Sequence, residues 1–196
     1  MPRPPSDAKI RIVHAALRLF ATRGYYHTSI ADILRESGCT RGTLYYYFSS
    51  KEELGYAVID EELRLVVEQG AVSHLRGNEP FVDRLLRAFD DLPSTLKLES
   101  GHSVISGLVP RVAAVHEGFR QHLLAREQAI AEEFQEMVRT AIADGELAES
   151  VDPDELTHFT AIVTYGIQMA RLLGQEQVMP EGAGRWLKEY LNSLRR

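Results

Sequence analysis

Apolar residues return every three or four positions from the start of the chain. Ile10, Val13, Leu17 and Phe20 form one helical stripe, with Lys9, Arg11 and Arg18 on other faces. Pro2, Pro4 and Pro5 mark a disordered arm over residues 1–5, Ser6 is placed to cap the first helix, and Gly24 to end it. Thr28 predicts a second N-cap, followed by an apolar face of Ile30, Ile33 and Leu34 that Gly38 closes. Thr40 caps a short third helix over 41–47. Ser50 caps a fourth that runs to about residue 75, and Glu53 completes a capping-box pattern there. Further helices are predicted near 79–97, 102–115, 117–144, 153–174 and 181–195, with Asp152-Pro153 a strong start signal and Gly145 and Gly174 fitting helix ends. No window alternates with period two, so no sheet is expected. The fold class is all-α with about nine helices: a helical head over 1–50 joined by the long fourth helix to a body over 51–196.

Charge changes this picture. The chain carries a net charge of −6, which taken alone argues against a polyanionic partner. Residues 1–51 hold eight Lys/Arg against three Asp/Glu, and the remaining residues fourteen against twenty-five. A basic head on an acidic body is the distribution expected of a DNA-binding protein. Cys39 is the single cysteine, so no internal disulfide forms and nothing implies an oxidising compartment. Its expected role is a small buried hydrophobe rather than a redox sensor. The start lacks the apolar region of a secretory signal, and no apolar run reaches the roughly 18 residues of a membrane span. A cytoplasmic location is expected.

The segment Thr28–Leu54 carries the chemistry. Two short helices meet at Ser37-Gly38-Cys39-Thr40, a glycine-containing turn with helix-turn-helix spacing. The second helix of such a unit enters the major groove with its N-terminal residues on base edges. Arg41 has the donors for a bidentate contact to guanine, Thr43 a hydroxyl and a methyl, and Gly42 permits close approach. Thr40 has a hydroxyl to offer a phosphate at the helix start. Leu44 and Phe48, four apart, are expected to face the core. Tyr45 and Tyr46 then project toward DNA, as phosphate donors or as apolar contacts to a thymine methyl. Tyr47 falls at the edge with its hydroxyl near the backbone, and Lys51 is expected to meet a phosphate.

This segment resembles the tetracycline-repressor-like (TetR) family of bacterial regulators. The resemblance covers roughly residues 6–56: the helix pattern before Gly24, Thr28–Ile33, Gly38-Cys39-Thr40-Arg41-Gly42-Thr43-Leu44-Tyr45-Tyr46-Tyr47-Phe48, and Ser50-Lys51-Glu52-Glu53-Leu54. Cys39 stands where an aliphatic residue is more usual, and Tyr47 where histidine is common. The resemblance implies that Arg41, Gly42, Thr43, Tyr45 and Tyr46 lie near bases, and that Thr28, Ser29, Thr40, Tyr47 and Lys51 contact the backbone. It also implies that the remaining helices bind a ligand and dimerise.

In the body, the 153–174 helix is apolar nearly all round. Leu156, Phe159, Val163, Gly166, Ala170 and Leu173 form one stripe; Ile162, Tyr165, Met169 and Leu172 form another. With Trp186, Leu187 and Tyr190 of the last helix, the first stripe is assigned to a homodimer interface, a four-helix bundle across a two-fold axis, with a palindromic operator as its consequence. A monomer core is the alternative reading of these stripes. Phe89, His102, Phe119, His158, Tyr165 and Met169 are candidates to line a pocket for an apolar or weakly polar small molecule, with ordinary packing as their alternative. The seven histidines form no metal motif, no nucleophile stands beside a base, and neither cofactor nor catalysis is expected. The chain therefore reads as a repressor released by a small molecule through a shift in population, or as a DNA-binding regulator without such an effector.

Overall fold

The structure, a computed structural model, describes residues 5–69, 71–95, 116–172 and 181–196, with side chains over 7–65, 73–91, 116–167, 170 and 184–196. These residues form eight α-helices and one 3-10 helix: α1 Pro5–Arg23, α2 Ile30–Ser37, α3 Arg41–Tyr47, α4 Lys51–Gln69, a 3-10 helix Ala71–Arg76, α5 Phe81–Thr95, α6 Glu117–Ala143, α7 Pro153–Leu172 and α8 Glu181–Ser193. The only bridge among them is the isolated antiparallel contact Leu147–Arg195. The helix expected over 102–115 lies outside the described residues. The fourth helix stops at Gln69, short of residue 75, because the chain tightens into the 3-10 turn.

The chain divides into two compact units. The first takes residues 1–65 and 97–124; the second takes 66–96 and 125–196. The first unit is built round α1, which packs against α2 and α3. Its buried residues, Ile12, Val13, Ala15, Ala16, Leu17, Leu19 and Phe20, cover more than one stripe. Ile10, expected on the core stripe, is 53% exposed, because the packed faces begin two residues later. The helix also starts at Pro5 rather than after Ser6; a proline in a first helical turn gives up no amide that the helix would use.

The same core includes Ile33, Leu44, Phe48, Leu54, Val58, Ile59 and Phe119, so it draws on residues either side of the expected boundary at 50/51. The Phe119 ring meets Tyr25 edge-on at 5.0 Å and Tyr56 at 5.1 Å. Its ring edge abuts α4 so closely that a Cβ at Gly55 would come within 2.5 Å of its Cζ, so a larger residue there would have to push the ring aside. Burial, and then the nearby Glu52 charge, push the Tyr25 phenol up to about 12.

The second unit has its own core: Leu75, Phe81, Val82, Leu85, Ala88, Phe89, Val138, Ala141, Leu147, Leu156, Ile167 and Leu191. Asp152 caps α7 as its sequence predicts, accepting from the amides of Asp154 at 2.8 Å and Glu155 at 3.0 Å. Glu146 accepts from the Phe81 amide at 2.5 Å and so caps α5 from a distant loop. No helix among the described residues is long and apolar enough to cross a membrane.

Candidate nucleic-acid interface

Local chemistry fixes both ends of the helix pair. Ser29, not Thr28, caps α2: its hydroxyl accepts from the Asp32 amide at 3.1 Å, while the Asp32 carboxylate accepts from the Ser29 amide at 3.0 Å. The Ser29 hydroxyl also donates to the Asp32 carboxylate at 2.5 Å; this bond, then the one from the Ser29 amide, then the one from Arg35, hold the Asp32 carboxyl down to about 2. Thr28 is buried, its hydroxyl donating to the Gly24 carbonyl at 2.9 Å. It ties the loop to α1 and has no surface to give a phosphate, which corrects the backbone role expected of it.

The turn needs Gly38. Its φ of 64° is left-handed, a conformation that costs a side-chain-bearing residue about 1–2 kcal/mol. Arg11 reaches across from α1 and donates from Nη1 to the Ser37 carbonyl at 3.1 Å, closing the C-terminal end of α2. This clamp was missed in the sequence; only the spacing of Arg11 from the turn in the finished fold reveals it. Cys39 sits half-buried against the core, its sulfur 3.7 Å from the Ser37 carbonyl.

Thr40 caps α3. Its Oγ1 accepts from the Thr43 amide at 3.2 Å and lies 2.8 Å from the Thr43 hydroxyl. Leu44 and Phe48 are buried, which turns the opposite face outward. Arg41, Gly42, Tyr45 and Tyr46 are exposed on it, Tyr46 by 79%, with Thr43 half-buried beside them. Tyr47 is half-buried at the edge, its ring meeting Tyr46 at 4.9 Å. Ser50 accepts from the Glu53 amide at 3.0 Å, as a capping box requires, but the Glu53 carboxylate accepts from Ser49 (2.7 Å to its amide) rather than from the cap residue.

Lys51 departs from expectation. Its ammonium donates to the Tyr25 carbonyl at 2.6 Å and lies 4.2 Å from the centre of the Tyr25 ring. Burial lowers its pKa. The carbonyl and the ring face together draw the side chain inward, so that it ties the α1–α2 loop to α4.

The residues expected to line a ligand pocket are distributed over both units. Phe119 belongs to the first unit's core and Phe89 to the second's. His158 and Tyr165 are exposed on α7, with the Tyr165 hydroxyl donating to Glu127. His102 and the Met169 side chain lie outside the described residues. An open hollow of about 410 Å³ on α5, lined by Glu79, Pro80, Asp83, Leu86, Arg87 and Asp90, includes none of them. No group of three or more His, Cys, Asp or Glu residues suited to a metal occurs among the described residues.

The residues expected to form the interface stripe of α7 divide between core and surface. Leu156 is buried, and Phe159, Val163 and Leu187 pack against the second unit's core. The outward stripe is His158, Ala161, Ile162, Tyr165 and Gly166, with Ile162 70% exposed. Of the expected interface residues, Gly166, Trp186 and Tyr190 are exposed, Ala170 is half-buried, and Leu173 lies outside the described residues. Leu156 anchors the core because its neighbours at helical spacing, Thr160 and Ile167, are buried with it.

Residues 12–58 match the family model for bacterial regulatory proteins of the tetR family, and residues 111–183 match the tetracyclin repressor-like C-terminal domain. The chain is 26% identical over 189 residues to the HTH-type transcriptional regulator YfiR of Bacillus subtilis, covering 93% of this chain and 89% of that one. It is 43% identical to the HTH-type transcriptional regulator LmrA of the same organism over 56 residues, 28% of this chain and 30% of that one. Among solved structures it superposes on a TetR transcriptional regulator from Chloroflexus aurantiacus with a TM-score of 0.80, 28% identity and 98% of both chains covered.

Proposed function

The chain belongs to the TetR family of helix-turn-helix transcriptional regulators, and from that premise we propose that two copies bind a palindromic operator through α3 and leave it when the body takes up a small molecule. The outward face of α3 carries this reading. Arg41, Gly42, Thr43, Tyr45 and Tyr46 gather donors and apolar edges on one short helix, with the opposite side locked into the core by Leu44 and Phe48. Arg41 supplies the guanine contact. Ser29, Thr40 and Tyr47 border this face and supply phosphate contacts that set register. Thr28 and Lys51 are left out because their side chains are committed inside the head.

Two-fold pairing is assigned to the outward stripe of α7, His158, Ala161, Ile162, Tyr165 and Gly166, together with Trp186 and Tyr190 of α8. Gly166 lets a partner helix come close, while Ile162 and Trp186 supply apolar area. An isologous contact of this kind presents two reading heads and so calls for a palindrome. Release follows if the ligand prefers a dimer whose heads are no longer spaced for successive grooves. The protein acts by binding rather than catalysis, and it works in the cytoplasm, where its operator is.

Selection of bound sequences from a random duplex pool at about 0.15 M salt tests this reading. Enrichment of a palindrome is the expected result. Binding without enrichment that vanishes as salt rises would reduce α3 to phosphate contact and overturn the assignment.

A further inference from the structure

One ordered contact joins two side chains that both leave the core side of α3. The Arg41 guanidinium carbon lies over the Tyr45 ring, 5.5 Å from its centre. The residues are four apart, so they stand one above the other on the helix surface. Among the described residues no hydrogen bond or ion pair holds either side chain. Tyr45 is 42% exposed, and Arg41 has no carboxylate partner among the described residues. The other outward groups are engaged elsewhere: Thr43 with Thr40 at 2.8 Å, and Tyr46 with the Tyr47 ring at 4.9 Å.

We propose that Tyr45 is a positioning residue for Arg41, and that the stacked pair reads one dinucleotide: a guanine taken by Arg41 beside a thymine whose 5-methyl group meets the Tyr45 ring. The inference rests on the reading above that α3 faces base edges. An unstacked arginine on a seven-residue helix samples many rotamers, and each bound geometry must be selected from them. A ring beneath the guanidinium removes most of that freedom before DNA arrives. Bidentate bonding to guanine O6 and N7 brings the guanidinium close to the plane of the base. A ring whose centre lies 5.5 Å from the guanidinium carbon then reaches the neighbouring base pair, since successive pairs rise about 3.4 Å. In the major groove the apolar group offered at that level is the thymine methyl.

The test compares sequences selected by the full-length wild type, Arg41→Ala, Tyr45→Phe and Tyr45→Ala, with thermal melts to establish that each folds. Arg41→Ala should erase the guanine preference, roughly 5- to 150-fold; if it does not, the base-reading role of α3 itself fails. With that role intact, Tyr45→Ala should weaken guanine preference about two- to fivefold, while Tyr45→Phe, which keeps the ring face, should preserve it. Uracil in place of the adjacent thymine should weaken wild-type binding about two- to fourfold and leave Tyr45→Ala unaffected. Two results would overturn the proposal: an even loss of affinity in Tyr45→Ala with guanine preference unchanged, or equal binding to uracil and thymine.

Discussion

At the scale of single residues, the head uses polar groups as fasteners. Lys51 joins the Tyr25 carbonyl on the far side of its loop, Arg11 joins the Ser37 carbonyl, and Thr28 joins the Gly24 carbonyl. Each sits near the helix-turn-helix without belonging to its outward face. A cation beside a basic motif invites a phosphate role, yet a buried carbonyl and an aromatic face compete for it locally. For Lys51 the local partners win: a charge-assisted bond at 2.6 Å and a ring at 4.2 Å. Lys51→Met keeps the aliphatic stem and deletes the donor, so it should lower the head's stability by about 1–3 kcal/mol. The salt dependence of DNA binding should stay close to wild type. A residue spent on a phosphate would behave the other way, with the salt slope falling by about one unit and stability unmoved. Thermal unfolding together with a salt titration separates the two.

At the scale of elements, helix α4 is tied to its neighbours in the first unit by acid groups. Glu61 accepts from Arg64 at 2.7 and 2.8 Å on its own helix and pairs with His14 of α1 at 3.0 Å. Asp60 pairs with His122 of α6 at 2.8 Å. The Arg64 bonds, and then the His14 bond, hold the Glu61 carboxyl down to about 2. Its folded value lies below its unfolded one, so the stability it contributes is present above about pH 4.5 and drains away as pH falls from there toward 2. Glu61→Gln should therefore flatten the acid limb of a stability-versus-pH curve in that window, by about 0.5–1 kcal/mol after solvent screening, with little change in its shape near neutrality. An unchanged acid limb would remove Glu61 from the tie between α1 and α4. The helices themselves were legible in the sequence where caps and periodicity agree, as at Thr40, Ser50 and Asp152-Pro153. The α2 cap slipped by one residue because Thr28 and Ser29 are both good cap residues, and the choice between them depends on which hydroxyl the α1–α2 loop buries. For a similar reason, the α7 stripe expected at the interface includes Leu156, Phe159 and Val163, which pack in the core. Both stripes of α7 are apolar, and periodicity marks a face without saying what covers it. Thr157 and Thr160, buried beside Leu156, satisfy their hydroxyls on the backbone carbonyls of Pro153 and Thr157 at 2.7 and 2.9 Å. Polar residues of this kind hide a core face from a hydrophobicity count.

At the scale of the whole molecule, a sequence-reading regulator needs affinity from more than one short helix. A single helix-turn-helix offers few base contacts, and doubling them through two-fold symmetry supplies both affinity and a longer recognition site. In the pairing proposed above, the body meets that need with exposed apolar surface: Ile162 at 70% and Trp186 at 73% exposed, with Tyr165 and Tyr190 on the same two helices. Apolar side chains of this size, aligned at helical spacing, mark contact surface rather than solvated surface. Ile162→Glu tests the assignment without touching the core, because the side chain already points outward. In a monomer this substitution should be neutral, within about 0.5 kcal/mol. Across a two-fold contact it buries an unpaired carboxylate from each copy, a cost of about 3–5 kcal/mol, so the dimer dissociation constant should rise by more than about 100-fold. Sedimentation should then show monomer at micromolar protein, with unfolding temperature reflecting only the lost association. Binding to the full palindrome should fall to the level of an isolated half-site. A variant that stays dimeric and keeps full operator affinity would place the two-fold axis on another face of the body.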